Sequence, residues 1–246
     1  MDASFAGDYG FRDAGSRFCI LKNVKTAPGP DECYGLWARD DRTVFSKLLG
    51  MEIEYIGLTP EQQARLAPYN SMNYYRSHVA EYFCQNGLLP MPPTEGECLM
   101  WFPDADVIRI TYRLFNKSAV DVPVRLVWRS EGEPALGSTA SAKGGGFLFE
   151  NTSKVINAAY RSRAELVAED RDVRFTAKEA AFASGPVERV IPPGGSIACR
   201  FAVRFAFNDE PFPDWRRDLW SDRSLGKAID AAEKAYAAVP PLAPEM

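Results

Sequence analysis

Residues Ile191 to Phe207, I-P-P-G-G-S-I-A-C-R-F-A-V-R-F-A-F, constrain the fold more than any other stretch. Ile197, Cys199, Phe201, Val203, Phe205 and Phe207 fall on one side at period two, and Ala198, Arg200, Ala202, Arg204 and Ala206 fall on the other. That alternation requires a strand with one buried face, because a helix would scatter the phenylalanines around its circumference. The preceding Pro192-Pro193-Gly194-Gly195-Ser196 is turn chemistry and blocks helix continuation on the N-terminal side. An antiparallel sheet that buries one face and wets the other accounts for Arg200 and Arg204 as solvated side chains.

Two further runs share the pattern. Ile108, Ile110, Tyr112 and Leu114 alternate with Val107, Arg109, Thr111 and Arg113, and Val122, Val124, Leu126 and Trp128 alternate with Asp121, Pro123, Arg125 and Arg129. The short polar connector Asn116-Lys117-Ser118-Ala119 predicts an antiparallel hairpin with both apolar faces on the same side. Weaker strand signals occur at Arg17–Val24, Thr43–Leu48, Met51–Ile56, Val79–Phe83, Leu99–Phe102, Phe147–Glu150, Val155–Tyr160, Val173–Ala177 and Val187–Ile191. Many short strands and few helices predict an all-β, antiparallel β-sandwich.

Helix signals are confined to two places. Thr59 is a cap for a short helix near 60–66, and Asp222–Ala238 carries Leu225, Ala228, Ile229, Ala232 and Tyr236 at helical spacing before Pro240-Pro241. The expected division is a sandwich domain over 1–210 and a linker segment with an amphipathic helix over 211–246. Ser130–Gly146 is rich in small residues, lacks the spacing of a nucleotide-binding loop and reads as a mobile surface loop. Pro211, Pro213, Trp215 and Trp220 in the other long connection read as packing anchors, with sugar stacking as the alternative.

Composition narrows the function classes. The chain has 246 residues, 46% of them hydrophobic, enough for one large all-β domain or two small ones. A net charge of −4 argues against nucleic-acid binding, which needs a basic surface. No apolar stretch approaches the roughly 20 residues of a membrane span, and the amino terminus lacks a signal-peptide pattern, so a soluble chain is expected, with the cytoplasm favoured. The five cysteines form no C-x-x-C pair and the single histidine, His78, has no partner pattern, so neither a metal, a cofactor nor a Cys/His or Ser/His dyad is expected. Cys199 reads as a small core residue.

The order of elements resembles the amino-terminal β-sandwich, or supersandwich, of glycosidases whose catalytic domain is an (α/α)6 barrel. Glucoamylases, processing α-glucosidases and debranching enzymes are of this kind. The resemblance rests on the 107–128 runs, the I-P-P-G-G-S turn with its strand, and A-I-D-A-A-E-K-A-Y, which is similar to the linker helix before the barrel. Tyr34–Leu48 is similar to the G-L-F-x-x-D-T-R-x-L-S stretch of debranching-type enzymes at Gly35, Leu36, Asp41, Arg42 and Ser46; Trp37 replaces the phenylalanine, and Arg42 follows Asp41 directly. Such families keep their catalytic carboxylates in the barrel. The resemblance therefore implies an accessory domain or fragment with no catalytic residue of its own, whose partners are carbohydrate and a catalytic barrel in the same or another chain.

Glycoside hydrolysis within this chain would need two carboxyl groups about 5 to 9.5 Å apart. Asp40 with Asp41, Asp104 with Asp106, and Glu95 with Glu97 are the candidates, and 33 acidic residues make such pairs expected by chance. Trp37, Arg39, Asp40 and Trp101 combine aromatic planes with groups that bond hydroxyls, as a sugar site requires, and read otherwise as core aromatics and a surface ion pair. Arg109, Arg113, Arg125, Arg129, Arg200 and Arg204 share the non-core side of their strands. They are expected either to be solvated or to form one face that docks an acidic partner surface, most naturally a catalytic domain. A free-standing carbohydrate-binding module and a structural or protein-interaction sandwich remain the alternatives.

Overall fold

The alternating run forms a single long strand in a two-layered β-structure. The computed structural model describes residues 10–11, 18–23, 33–38, 42–61, 72–76, 81–85, 94–104, 106–132, 138–143, 145–152, 161–227, 230 and 234. Within them the first eight strands are β1 (Gly10–Phe11), β2 (Phe18–Asn23), β3 (Cys33–Ala38), β4 (Arg42–Tyr55), β5 (Met72–Arg76), β6 (Glu81–Gln85), β7 (Thr94–Asp104) and β8 (Val107–Asn116). The rest are β9 (Val122–Gly132), β10 (Ser138–Lys143), β11 (Gly146–Thr152), β12 (Arg161–Ala168), β13 (Phe175–Lys178), β14 (Ala181–Ser184), β15 (Val187–Ile191) and β16 (Ser196–Phe207). An eight-stranded sheet runs β1-β2-β3-β4-β9-β14-β13, with β15 also on β9, and a six-stranded sheet runs β10-β11-β12-β16-β8-β7. β5 and β6 pair with each other.

The two large sheets bury one core between them. Ile110, Tyr112, Phe201, Phe205, Leu166, Phe147 and Phe149 come from the six-stranded sheet, and Tyr55, Leu126, Trp128, Phe175, Phe182 and Val187 from the eight-stranded sheet. Phe201 bridges the layers, with its ring centroid 5.3 Å from that of Trp128 and 6.5 Å from that of Phe175. The turn before β16 uses its glycine as expected: Gly194 sits at φ +66°, a left-handed conformation that suits a residue without Cβ. Gly146 has a packing reason instead, since a Cβ there would lie 1.8 Å from the Leu166 carbonyl oxygen on β12.

The expected hairpin between the 107–116 and 122–132 runs does not form. β8 pairs with β7 and β16, whereas β9 pairs with β4, β14 and β15 in the opposite sheet. Asn116, 1% exposed, braces the crossing: its Nδ2 donates to the carbonyls of Val120 (2.7 Å) and Ile191 (2.8 Å), and its Oδ1 accepts from the backbone N–H of Ser118 (2.8 Å). Both apolar faces still meet one core, but face to face rather than side by side. Period two specifies which residues point inward and is silent about which sheet a strand joins.

The expected mobile loop over 130–146 is corrected as well, because it contains β10, which pairs with β11 in register from Ser138↔Asn151 to Lys143↔Gly146. Its small residues hid a strand that is held at the sheet edge by backbone pairing. Thr43–Leu48 and Met51–Ile56 merge into the continuous β4, whose register against β9 shifts between Phe45, Lys47 and Gly50. Pro60 and Glu61 are helical, as are 223–227, 230 and 234, while 62–66 and Val155–Tyr160 lie outside the described residues. No helix among the described residues is long and apolar enough to cross a membrane.

Candidate functional site

The arginines that share the non-core side of their strands lie on two faces, not one. Arg125 and Arg129 are on β9, on the outside of the eight-stranded sheet, where register places Glu54 and Glu188 directly opposite Arg125 on either side. Arg125 Nη1 donates to Glu54 at 2.8 Å and Nη2 to Glu188 at 2.8 Å, and Arg129 Nε donates to Glu52 at 2.7 Å. These are solvent-facing cross-strand pairs of modest energetic weight.

Arg109, Arg113, Arg200 and Arg204 are on β8 and β16, neighbouring strands of the six-stranded sheet. Register sets Ala202 opposite Arg109, Ala198 opposite Arg113, Thr111 opposite Arg200 and Val107 opposite Arg204. The alanines give the guanidinium groups room to lie across the sheet. Arg163 and Glu165 on the adjacent β12 extend the same face, with Glu165 directly opposite Arg204. The sequence reading passed over this pair, although R-S-R-A-E over 161–165 carries the same alternation of charge with small residues.

This face is covered by the chain itself. Residues 208–227 cross it as a strap, and its arginines fasten it by two kinds of contact. Guanidinium groups donate to strap carbonyls: Arg204 Nη1 to Pro213 at 2.7 Å, Arg163 Nη2 to Glu210, and Arg109 Nη1 to Leu219. They also stack on strap rings, with Arg204 Cζ 4.4 Å from the Trp215 centroid and Arg163 Cζ 5.0 Å from that of Phe212. Arg204 Nε donates to Glu165 at 2.7 Å, so its charge is paired at the sheet before it meets the strap.

Arg109 is the centre of the arrangement and is 0% exposed. Its Cζ lies 5.0 Å from the Trp101 ring on β7, directly across the sheet, and 5.1 Å from the Trp220 ring on the strap. Burial pushes its guanidinium down to about 10, with Asp222 opposing the shift, so it remains charged at neutral pH. Asp222 Oδ2 lies 3.8 Å from both Arg113 Nη2 and Arg200 Nη2, and Asp222 Oδ1 is 4.0 Å from Arg109 Nη2. Arg200 Nη1 also donates to Glu169 at 3.0 Å.

Of the four residues expected to hold sugar, the structure describes the side chain of Trp101 alone. Trp101 is 0% exposed, as its alternative reading as a core aromatic has it: Arg109 lies against its ring, and its Nε1 donates to Ser224 Oγ at 3.1 Å. Trp37 lies on β3, opposite Thr43, where the β3–β4 register shifts; Arg39 and Asp40 lie outside the described residues. Among the carboxylate pairs, Asp104 and Asp106 flank the β7–β8 turn, and Asp41 lies outside the described residues. Among the described residues, no three His, Cys, Asp or Glu side chains gather as a metal ion would need.

No protein-family model and no curated protein matches the sequence. Solved structures do match the fold. A protein of Synechocystis sp. PCC 6803 superposes with a TM-score of 0.51 at 11% identity, covering 80% of this chain and 95% of that one. A candidate aldose 1-epimerase of Escherichia coli K12 superposes with a TM-score of 0.51 at 8% identity, covering 80% of this chain and 98% of that one. At such identities the likeness carries the architecture: this chain is an antiparallel β-sandwich of the kind those two proteins share.

Proposed function

We propose that this chain is a non-catalytic β-sandwich domain of a carbohydrate-active enzyme, which packs on a catalytic barrel and helps shape its site. The observation that carries the reading is the strap. A sheet face on which a sugar could otherwise lie is filled by residues 208–227, and Arg109, Arg163 and Arg204 hold that segment by its carbonyls. Fixing the strap fixes where the helical turn at 223–227 leaves the sandwich, with Leu225 buried at 8% exposure as its anchor. A rigid exit is what a domain needs to hold another in constant register. The resemblance of 228–236 to a linker helix supports the same reading, and carbohydrate and the barrel would be its partners.

A second reading has its own support. The two superposed proteins are 95% and 98% covered by this fold, so the sandwich also exists as nearly a whole protein, in one case a candidate aldose 1-epimerase. On that reading the chain would act on, or bind, a sugar by itself. One set of measurements separates the two: reducing-sugar release from oligosaccharides, polarimetry of freshly dissolved α-D-glucose and α-D-galactose, and calorimetric titration with oligosaccharides. The accessory reading expects no hydrolysis and no faster mutarotation. Accelerated mutarotation would replace it with the second reading, and saturable oligosaccharide binding lost in Trp37→Ala would make the chain a binding module.

A further inference from the structure

The arginine face carries more buried donors than the strap satisfies. Arg109 Nε, Arg109 Nη2, Arg200 Nε and Thr111 Oγ1 are all buried with no hydrogen-bond partner among the described residues. They adjoin one another: Thr111 and Arg200 are directly opposed between β8 and β16, and Arg109 is two residues from Thr111 on the same strand face. Buried polar atoms in native proteins nearly always find partners, so four orphans at one spot mark a place for an acceptor from solvent or a ligand. Three of them belong to guanidinium groups, whose charge in a low-dielectric site calls for an anionic acceptor rather than a neutral one.

The strap already brings an anion toward this spot without completing the bonds. The Asp222 carboxylate stands 3.8 to 4.0 Å from the guanidinium groups of Arg109, Arg113 and Arg200, beyond hydrogen-bond length from each. Its side chain is 44% exposed, so part of it already faces solvent.

We propose that Arg109, Arg200 and Thr111, with Arg113 at the rim, form a binding site for a phosphate-class oxyanion, for which Asp222 is the chain's internal competitor. The tetrahedral group supplies several acceptor oxygens, enough for two guanidinium forks and a hydroxyl, where one carboxylate at this distance supplies none. Asp222 moves aside as the anion enters, and the strap rings of Trp215 and Trp220 remain stacked on Arg204 and Arg109. The site is independent of the accessory-domain reading, since a sandwich inert in the polarimeter can still bind phosphate.

Calorimetric titration of the full chain with orthophosphate, at ionic strength held constant with chloride, tests the site. Saturable binding is expected, about tenfold tighter in Asp222→Asn because the internal anion that must be displaced from the three guanidinium groups is removed. Binding should weaken by about tenfold or more in Arg200→Gln, given the strength of charge-assisted bonds. Thr111→Val, which keeps the shape of the side chain, should weaken it too and serves if Arg200→Gln does not fold. Glucose 6-phosphate binding more tightly than orthophosphate assigns a phosphate monoester as the source; equal affinity assigns free phosphate; glucose alone leaves the site unbound. Absence of saturable binding in Asp222→Asn, or binding unchanged in Thr111→Val and in a folded Arg200→Gln, would overturn the proposal and leave the orphaned donors to water.

Discussion

Arg109 shows how one residue changes meaning between strand pattern and structure. On β8 it is an outward charge, yet in the molecule it is 0% exposed, close to the rings of Trp101 and Trp220, and donating to the Leu219 carbonyl. Removing a buried charged group strands the partners that were arranged around it. Arg109→Ala is therefore expected to cost about 3 kcal/mol in chemical denaturation, from the space left between the two indoles and the Leu219 carbonyl left without its donor. Arg109→Lys should recover only a minor part of that loss, because an ammonium cannot present a planar fork against two indoles. Full recovery by lysine would show that charge alone matters.

Cys199 is the opposite case, a residue whose sequence reading holds. It is 8% exposed, and burial pushes its thiol from an ordinary 9.0 up to about 12. The folded state keeps the proton that the unfolded state gives up, so this group contributes stability that is lost as pH rises from 9 to 12. Peptide mapping should find Cys199 unmodified by iodoacetamide at about pH 8 in the folded protein and alkylated once it is unfolded. Cys199→Ala should lose less melting temperature than the parent over that alkaline range.

At the scale of elements, the strands were legible and their partners were not. The alternation over 107–116 and 122–128 reads correctly as two strands with apolar faces on one core. The crossing to the other sheet is braced by Asn116, one polar residue among turn-forming neighbours, whose amide reaches Ile191 far along the chain. No local pattern announces that contact. Asn116→Ala is expected to destabilise by about 2 kcal/mol, because the buried Ile191 carbonyl loses its side-chain donor. An equilibrium unfolding curve with an unshifted midpoint would mean that backbone pairing alone directs the crossing. β10 was missed for the related reason that S-T-A-S-A-K has no large apolar residue to mark a face.

Across the whole molecule, one core joins both large sheets, and Phe201 stands at its middle, 1% exposed and in contact range of Trp128, Tyr112 and Phe175. Phe201→Ala should cost about 3–5 kcal/mol through lost transfer and an unfilled cavity. The loss should appear at one midpoint by tryptophan fluorescence and far-ultraviolet circular dichroism together, since among the described residues both large sheets share this core. Separate midpoints would mean that the layers unfold independently.

The sequence by itself determined the class of fold, the inward side of the long strands and the turn at Gly194, because each depends on a period of two or on the backbone freedom of one residue. It also placed arginines on the outward side of β8 and β16. Only the tertiary structure decided which strands share a sheet and what lies over those arginines. Both depend on contacts between residues distant in the chain, such as Asn116 with Ile191 or Arg109 with Leu219, where side-chain geometry selects among arrangements that bury the same apolar faces. The arginine face is half legible for that reason: its donors are written in the strand pattern, and its cover is written in a loop of prolines and aromatics that only packing orients.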